Sequence, residues 1–118
     1  MNTDVPRVTV DEIRTRQRGM MGNLLDLRRQ EAIAPGMEET SVIEKAVPGR
    51  ITAGYGTFRD VADRFSGVTP YTITVPYDKD VRPGDRWVDE EGRVFNVLDV
   101  RTTGTWHTAT VTLCDWIH

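Results

Sequence analysis

Residues 71–77 alternate between large apolar side chains and polar or small ones, and this pattern constrains the fold more than any other in the chain. Successive side chains of a β-strand point to opposite faces, so the alternation places one apolar row on one face of a strand. The row consists of Tyr71, Ile73, Val75 and Tyr77. This segment is therefore predicted to be a strand of an antiparallel sheet.

Turn signals downstream of this strand predict a meander. Pro83 fixes φ and Gly84 accepts a positive φ, which together favour a tight turn. Gly92 and Gly104 mark two further hairpin turns. Strands are predicted between these turns, at residues 86–89, 93–100 and 106–117. A sheet of several antiparallel strands leaves no unpaired edge when it closes into a barrel. The predicted fold is therefore mainly β, a small antiparallel β-barrel.

The first third of the chain is predicted to carry an N-terminal α-helix at residues 9–21. Thr9 can cap its start, and apolar residues follow at helical spacing until Gly22 ends it. Leu25 and Leu27 alternate with polar neighbours as in a strand, although they also suit a continued helix. At 118 residues one core is expected, so the chain is predicted to be a single domain, residues 1–118, with its barrel over residues 23–117.

Residues 31–40 are predicted to form an extended, exposed loop. They hold Pro35 and Gly36 together with the acidic residues Glu31, Glu38 and Glu39, and they show no periodicity. Short strands are predicted to follow at 41–46 and 50–53, separated by a turn at 47–49. A second loop is predicted at 54–67, where Phe58 and Phe65 recur at roughly helical spacing, so that a short helix and a docking loop are both compatible with it.

Charge and hydropathy exclude several classes of function. The formal net charge is −3, and residues 71–118 carry more acidic than basic side chains. This charge argues against a protein that binds nucleic acid through its phosphates. No apolar run approaches the roughly 20 residues that cross a bilayer, and residues 1–6 lack the features of a signal peptide. We therefore expect a protein made and kept inside a cell, or in a particle assembled there, without a membrane partner.

The side chains that usually carry chemistry are sparse. Cys114 is the sole cysteine and is interpreted as a small core residue. His107 and His118 lack neighbours at metal-ligand spacing, so neither a metal nor another cofactor is expected. Asp89, Glu90 and Glu91 form a carboxylate run that is expected to be solvated on a hairpin turn. We do not expect an enzyme.

Three tryptophans in the last third of the chain leave two interpretations open. Large rings close a barrel core, and they also anchor contacts between subunits. These residues are Trp87, Trp106 and Trp116.

The C-terminal half resembles a known family in several segments. They are a strand at 71–76, a Pro-Gly-Asp turn at 80–86, a hairpin strand at 92–100, a Trp-containing return at 104–109 and the segment 113–115. Together they resemble the head-to-tail stopper, or head-tail joining, proteins of long-tailed phages, especially those that infect actinobacteria. The resemblance is clearest over residues 68–115.

The resemblance implies a structural protein of the virion neck. It implies a ring of six copies below the portal and adaptor and above the tail terminator, assembled in the host cytoplasm and surrounding the channel through which genomic DNA passes. It also implies a gate that retains DNA. We assign the gate to the acidic loop, with Glu31, Pro35, Gly36, Glu38 and Glu39 as its candidate residues.

Contacts with other subunits or partners are assigned to edge strands, the N-terminal helix and aromatic residues. The candidate interface residues are Tyr55, Phe58, Phe65 and Trp116. The alternative function is a small β-barrel module that binds single-stranded nucleic acid or a peptide, for which Tyr71 and Tyr77 would be the stacking residues. The acidic balance of residues 71–118 counts against that alternative.

Overall fold

The protein is a closed antiparallel β-barrel. The computed structural model describes residues 22–102 and 109–117, with the backbone alone at positions 31–34 and 37–39. Its elements are β1 (Asn23–Ala34), β2 (Met37–Ala53), a 3₁₀ helix (Gly56–Phe65), β3 (Pro70–Pro76), β4 (Arg86–Asp89), β5 (Val94–Thr102) and β6 (Ala109–Ile117). The barrel order is β1-β2-β3-β6-β5-β4. The prediction of a mainly β, small antiparallel barrel is confirmed; the helix predicted at residues 9–21 lies outside the described residues.

The barrel interior is filled by alternate side chains of all six strands. Leu25 and Leu27 point inward from β1, so this segment is a strand and not a continued helix. Trp87 on β4 has no exposed surface, which settles its role as a core residue. The other inward residues include Val47, Ile73, Val75, Phe95, Val97 and Cys114. Each large apolar side chain buried in this way contributes roughly 1.5–3 kcal/mol to folding.

A second apolar cluster lies outside the barrel wall. Phe58 and Val61 of the 3₁₀ helix pack on Val111 and Leu113 of β6. Because Thr112 and Cys114 point inward, β6 is buried on both faces from Ala109 to Cys114. The 3₁₀ helix therefore acts as a cover over the outer face of this strand.

Both predicted turns in the described part of the chain are present, but the first does not join neighbouring strands, because β3 pairs with β2 and β6 while β4 pairs with β1 and β5. The predicted meander is therefore wrong at that step, and of its strands only β4, β5 and β6 follow one another in the sheet. The N–H of Asp85 donates to the carbonyl of Arg82 at 3.0 Å, and Gly84 has a φ of 94°. In the β4–β5 turn the N–H of Gly92 donates to the carbonyl of Asp89 at 3.0 Å. The turn predicted at Gly104 lies outside the described residues.

Asp89 is not solvated as predicted. Its carboxylate accepts bonds from the N–H groups of Glu91 and Arg93, at 3.0 and 2.8 Å, and from Nε of Arg93 at 2.6 Å. Its side chain is 3% exposed. The carboxylate organises the turn because it satisfies backbone donors that would otherwise lack partners, whereas Glu90 and Glu91 are exposed as expected.

The largest correction concerns residues 31–53, which do not form an exposed loop followed by two short strands. β1 runs to Ala34 and β2 begins at Met37, so only Pro35 and Gly36 make the turn of one long hairpin. The turn predicted at 47–49 is also wrong, because β2 continues through it. Pro48 and Gly49 lie where β2 stops pairing with β1 and begins to pair with β3.

Within the described residues, the structure contains no helix of the length and hydropathy that spanning a membrane requires.

Candidate functional site

The most distinctive feature is a two-stranded arm that continues beyond the barrel. β1 pairs with β4 only at residues 25–28, and β2 pairs with β3 only at residues 50–53. From Arg29 onward the two strands of the hairpin pair with each other, in the register Arg29↔Ser41, Gln30↔Thr40 and Glu31↔Glu39. We call residues 29–46 the arm. An isolated two-stranded ribbon is marginally stable in water, so the arm depends on contacts at its root or with a partner.

Two β-bulges lie at the root of the arm. The register jumps from Leu25↔Val47 to Leu27↔Glu44 and again to Arg28↔Val42, so β2 carries extra residues at both places. Ala46 has a φ of 54° there, and its N–H donates to Oδ1 of Asp26 at 3.2 Å. Bulges bend a strand and increase its twist, so these two set the direction in which the arm leaves the barrel.

Ion pairs fix the arm to the segment between β3 and β4. Nε and Nη2 of Arg29 donate to the two carboxylate oxygens of Asp85, each at 2.9 Å. Nη2 of Arg29 also donates to the carbonyl of Asp80 at 3.1 Å. On the other strand of the arm, Nζ of Lys79 contacts Glu44. Both strands are therefore held at the root.

Asp85 is the buried centre of this root. Its side chain is 3% exposed, and besides Arg29 it accepts a bond from the N–H of Arg82 at 2.9 Å. Removing one partner from a buried, hydrogen-bonded pair costs more than the pair contributes, because the remaining charge is left without compensation. The bidentate geometry also restricts rotation of the arginine, so it positions the arm as well as holding it.

The structure brings the predicted gate residues together at the tip of the arm. Pro35 and Gly36 form its turn and are exposed, and Gly36 has a φ of 78°. The register places Glu31 opposite Glu39 and Ala32 opposite Glu38. Like charges directly opposite each other weaken an antiparallel pair. The tip is therefore a concentration of acidic positions on strands, not on a loop as predicted.

The predicted interface residues do not form one surface. Phe58 has no exposed area and belongs to the second core, so its assignment to an interface is wrong. Tyr55 and Phe65 are half-buried at the two ends of the 3₁₀ helix, where the Tyr55 hydroxyl donates to the carbonyl of Phe65 at 3.2 Å. Trp116 is half-buried and packs edge-to-face on Tyr71, with ring centroids 5.9 Å apart. None of the three lies on the arm.

An ion pair made by Arg101 of β5 holds the 3₁₀ helix against the barrel. Its Nη1 and Nη2 donate to the carboxylate oxygens of Asp60 at 2.9 and 3.0 Å. The guanidinium carbon also lies 4.7 Å from the centroid of the Phe58 ring. The bond from Arg101 holds the pKa of Asp60 below its usual range and raises the pKa of Arg101.

Four exposed apolar residues were missed from the sequence. Val42 and Ile43 lie on the arm, 44% and 40% exposed. Leu24 is the second residue of β1 and Ile117 is the last of β6, and both are also exposed. Adjacent Val and Ile residues normally point to opposite faces of a strand, so one is usually buried. Here the ribbon has no core behind either face, and a bulge lies at Ile43.

Three of the described side chains that could carry chemistry are engaged in structure. Burial raises the pKa of the Cys114 thiol to about 12, so it is a protonated core residue at neutral pH, as interpreted from the sequence. Asp85 and Asp89 are engaged in the bonds given above. Among the side chains that the structure describes, no group of three His, Cys, Asp or Glu could hold a metal ion.

The fold is similar to that of a solved bacterial protein. No protein-family model matches the chain, and no curated protein matches it. The solution structure of a protein from Shigella flexneri 2a superposes with a TM-score of 0.55 at 14% sequence identity, covering 81% of this chain and 95% of that chain. Such a likeness concerns the fold and carries no function with it.

Proposed function

We propose that this protein is a structural component of the neck of a long-tailed phage, where it forms a homo-oligomeric ring between the portal and adaptor side and the tail side. The ring surrounds the DNA channel, and the acidic tip of the arm closes it. The helix predicted at residues 9–21 is part of the same proposal, as a further contact between neighbouring copies.

One observation carries the assembly role: the arm extends beyond a barrel that is otherwise closed. A closed barrel has no sheet edges to offer, whereas the arm has backbone edges and two exposed apolar side chains, Val42 and Ile43. Such features are suited to pairing with another chain. The sequence resemblance of residues 68–115 to stopper proteins is the reason for proposing that this assembly lies in the phage neck.

The gate role is supported by charge. Glu31, Glu38 and Glu39 share the tip, and carboxylates repel DNA phosphates within a Debye length of about 10 Å at 0.1 M salt. A tip that repels phosphates can obstruct the channel without binding DNA. The ion pairs at the root would hold such an element in place beside the channel.

The alternative, a module that stacks single-stranded bases or a peptide, has less support. Tyr71 packs edge-to-face on both Phe95 and Trp116, with centroid distances of 5.4 and 5.9 Å. Its ring is therefore engaged within the fold and is not a free stacking platform. Titration of a labelled single-stranded oligonucleotide at physiological salt separates the two functions, because sub-micromolar binding would favour the alternative.

The assembly role is tested by the mass of the purified chain in solution. We expect light scattering to give a ring of six copies, either alone or after addition of a portal and adaptor assembly. The matched variant replaces residues 30–40 by Asn-Gly, which favours a two-residue hairpin turn and fits here because Arg29 and Ser41 are register partners. This variant should keep its barrel but remain monomeric. A full-length chain that is monomeric in both conditions would refute the ring.

A further inference from the structure

Two of the sheet edges in the described structure lie on the arm. In the barrel every strand has a neighbour on each side. Within the arm, residues 31–34 of β1 and 37–44 of β2 have each other as sheet partners and no second strand among the described residues. The arm therefore has two backbone edges, a β1 edge and a β2 edge. Backbone edges without a second strand can act as templates for strand addition.

The two edges differ in charge, and this difference indicates which edges can meet. Residues 37–44 contain Glu38, Glu39 and Glu44 and no basic residue, whereas residues 31–34 contain Glu31 alone, followed by Ala-Ile-Ala. Pairing two β2 edges about a two-fold axis would set an acidic run against itself, which is unfavourable for residues directly opposite each other. Pairing a β1 edge with a β2 edge sets a single acidic residue, Glu31, against that run, so the repulsion is smaller.

We propose that the β1 edge of the arm in one copy pairs antiparallel with the β2 edge of the arm in the next copy. This inference rests on the proposed ring and specifies its contact. A head-to-tail contact of this kind uses two different surfaces of each copy, and it closes into a ring when the rotation between copies allows. Val42 and Ile43, exposed in the single chain, then gain cross-strand neighbours from the next ribbon.

Disulfide trapping between copies tests the pairing. One preparation carries Gln30→Cys, and it is mixed in turn with copies carrying Glu38→Cys, Thr40→Cys or Val42→Cys. Positions 38, 40 and 42 are spaced by two and so share one face, and together they sample three registers. The native Cys114 gives little background, because it is buried and burial raises the pKa of its thiol to about 12.

We expect at least one mixture to give disulfide-linked dimers on a non-reducing gel, and the Gln30→Cys copies alone to give none. Dimers of a single variant with itself would indicate a two-fold contact and overturn the proposal. The mass of each mixture before oxidation is measured in parallel. A ring without cross-links in any mixture would refute the pairing and leave the ring intact, whereas a monomer would refute both.

Amide exchange supplies an independent readout. Peptides from residues 30–44 should exchange more slowly at concentrations where the ring forms than at dilutions where it dissociates, because outward N–H groups gain partners. Peptides from β3 should exchange equally at both. Equal exchange in the arm at both concentrations would contradict the pairing.

Discussion

At the scale of single residues, a fully buried hydroxyl group, that of Thr112, bonds the indole of a core tryptophan. Oγ1 of Thr112 accepts a bond from Nε1 of Trp87 at 3.2 Å and donates to the carbonyl of Ile73 at 2.8 Å. The threonine therefore satisfies the polar atom of the largest core side chain, which would otherwise be buried without a partner. The alternation placed Thr112 on a strand face, but nothing local in the sequence predicted its partner 25 residues away.

Thr112→Val should destabilise the protein by about 1–3 kcal/mol, because it leaves the Trp87 N–H buried and unsatisfied. In a Trp87→Phe background the same substitution should cost less, since that N–H is absent. A double-mutant cycle by urea unfolding measures the difference, and we expect a coupling energy of at least about 0.5 kcal/mol. Additive effects would show that the two side chains are not coupled.

Gly49 is the residue that close packing constrains most. A Cβ atom there would lie 2.5 Å from Cδ1 of Leu25 and 3.3 Å from the carbonyl oxygen of Thr74. Leu25 is fully buried and has little room to yield. Gly49→Ala should therefore destabilise the fold by about 1–3 kcal/mol in thermal or urea unfolding. Gly22→Ala is the control, since nothing lies within 4 Å of its added Cβ, and equal stability of the two variants would contradict the expectation.

At the scale of elements, the sequence predicted the strands of the barrel and failed along the arm. β3, β4 and β5 were placed within two residues of their ends, and β4 alternates in burial along its whole length. The arm has no core behind it, so its residues carry no period of two, and Pro35, Gly36 and the glutamates resembled a loop. The burial of Phe58 was missed too, although Val111 and Leu113 on the outer face of β6 were a signal that something covers that strand.

The ion pair between Asp60 and Arg101 makes the attachment of the 3₁₀ helix to the barrel pH-dependent. The pKa of Asp60 in the folded protein is lower than its ordinary value of 3.8. The ion pair therefore contributes to stability above pH 3.8, and this contribution is lost as the pH falls through the pKa of the folded state. Asp60→Asn should therefore lower stability at pH 7, and the difference from the unsubstituted protein should shrink below about pH 3.8.

Urea unfolding at pH 7 and pH 3 measures this difference. Asp63→Asn serves as the control, because Asp63 is an exposed carboxylate on the same helix. A pH-independent difference, or one equal to that of the control, would contradict a role for the ion pair.

At the scale of the whole molecule, a rigid barrel carries a ribbon that is anchored at its root and acidic at its tip. Replacing Glu31, Glu38 and Glu39 together by Gln should leave the free energy of unfolding within about 1 kcal/mol, because the substitution keeps the size of each side chain and removes like charges that the register places near one another. Under the proposed function, particles complemented with this variant should assemble but retain or eject DNA abnormally.

Scoring DNA-filled heads, tail attachment and infectivity measures the effect, with the Asn-Gly replacement of residues 30–40 as the stronger variant. If both variants show normal DNA retention, ejection and infectivity, the arm is not the gate. The segment at 54–67 is then the next candidate.

The short strand β4 has a mechanical consequence. β4 joins β1 only along residues 86–89, between the bond from the Leu24 N–H to Oε1 of Glu90 at one end and the Arg29–Asp85 pair at the other. A pull on the arm enters the barrel through both β1 and β2, and therefore loads the β1–β4 seam and the equally short β2–β3 seam. We expect the barrel to open at these two seams before the longer ladders that join β3, β6 and β5.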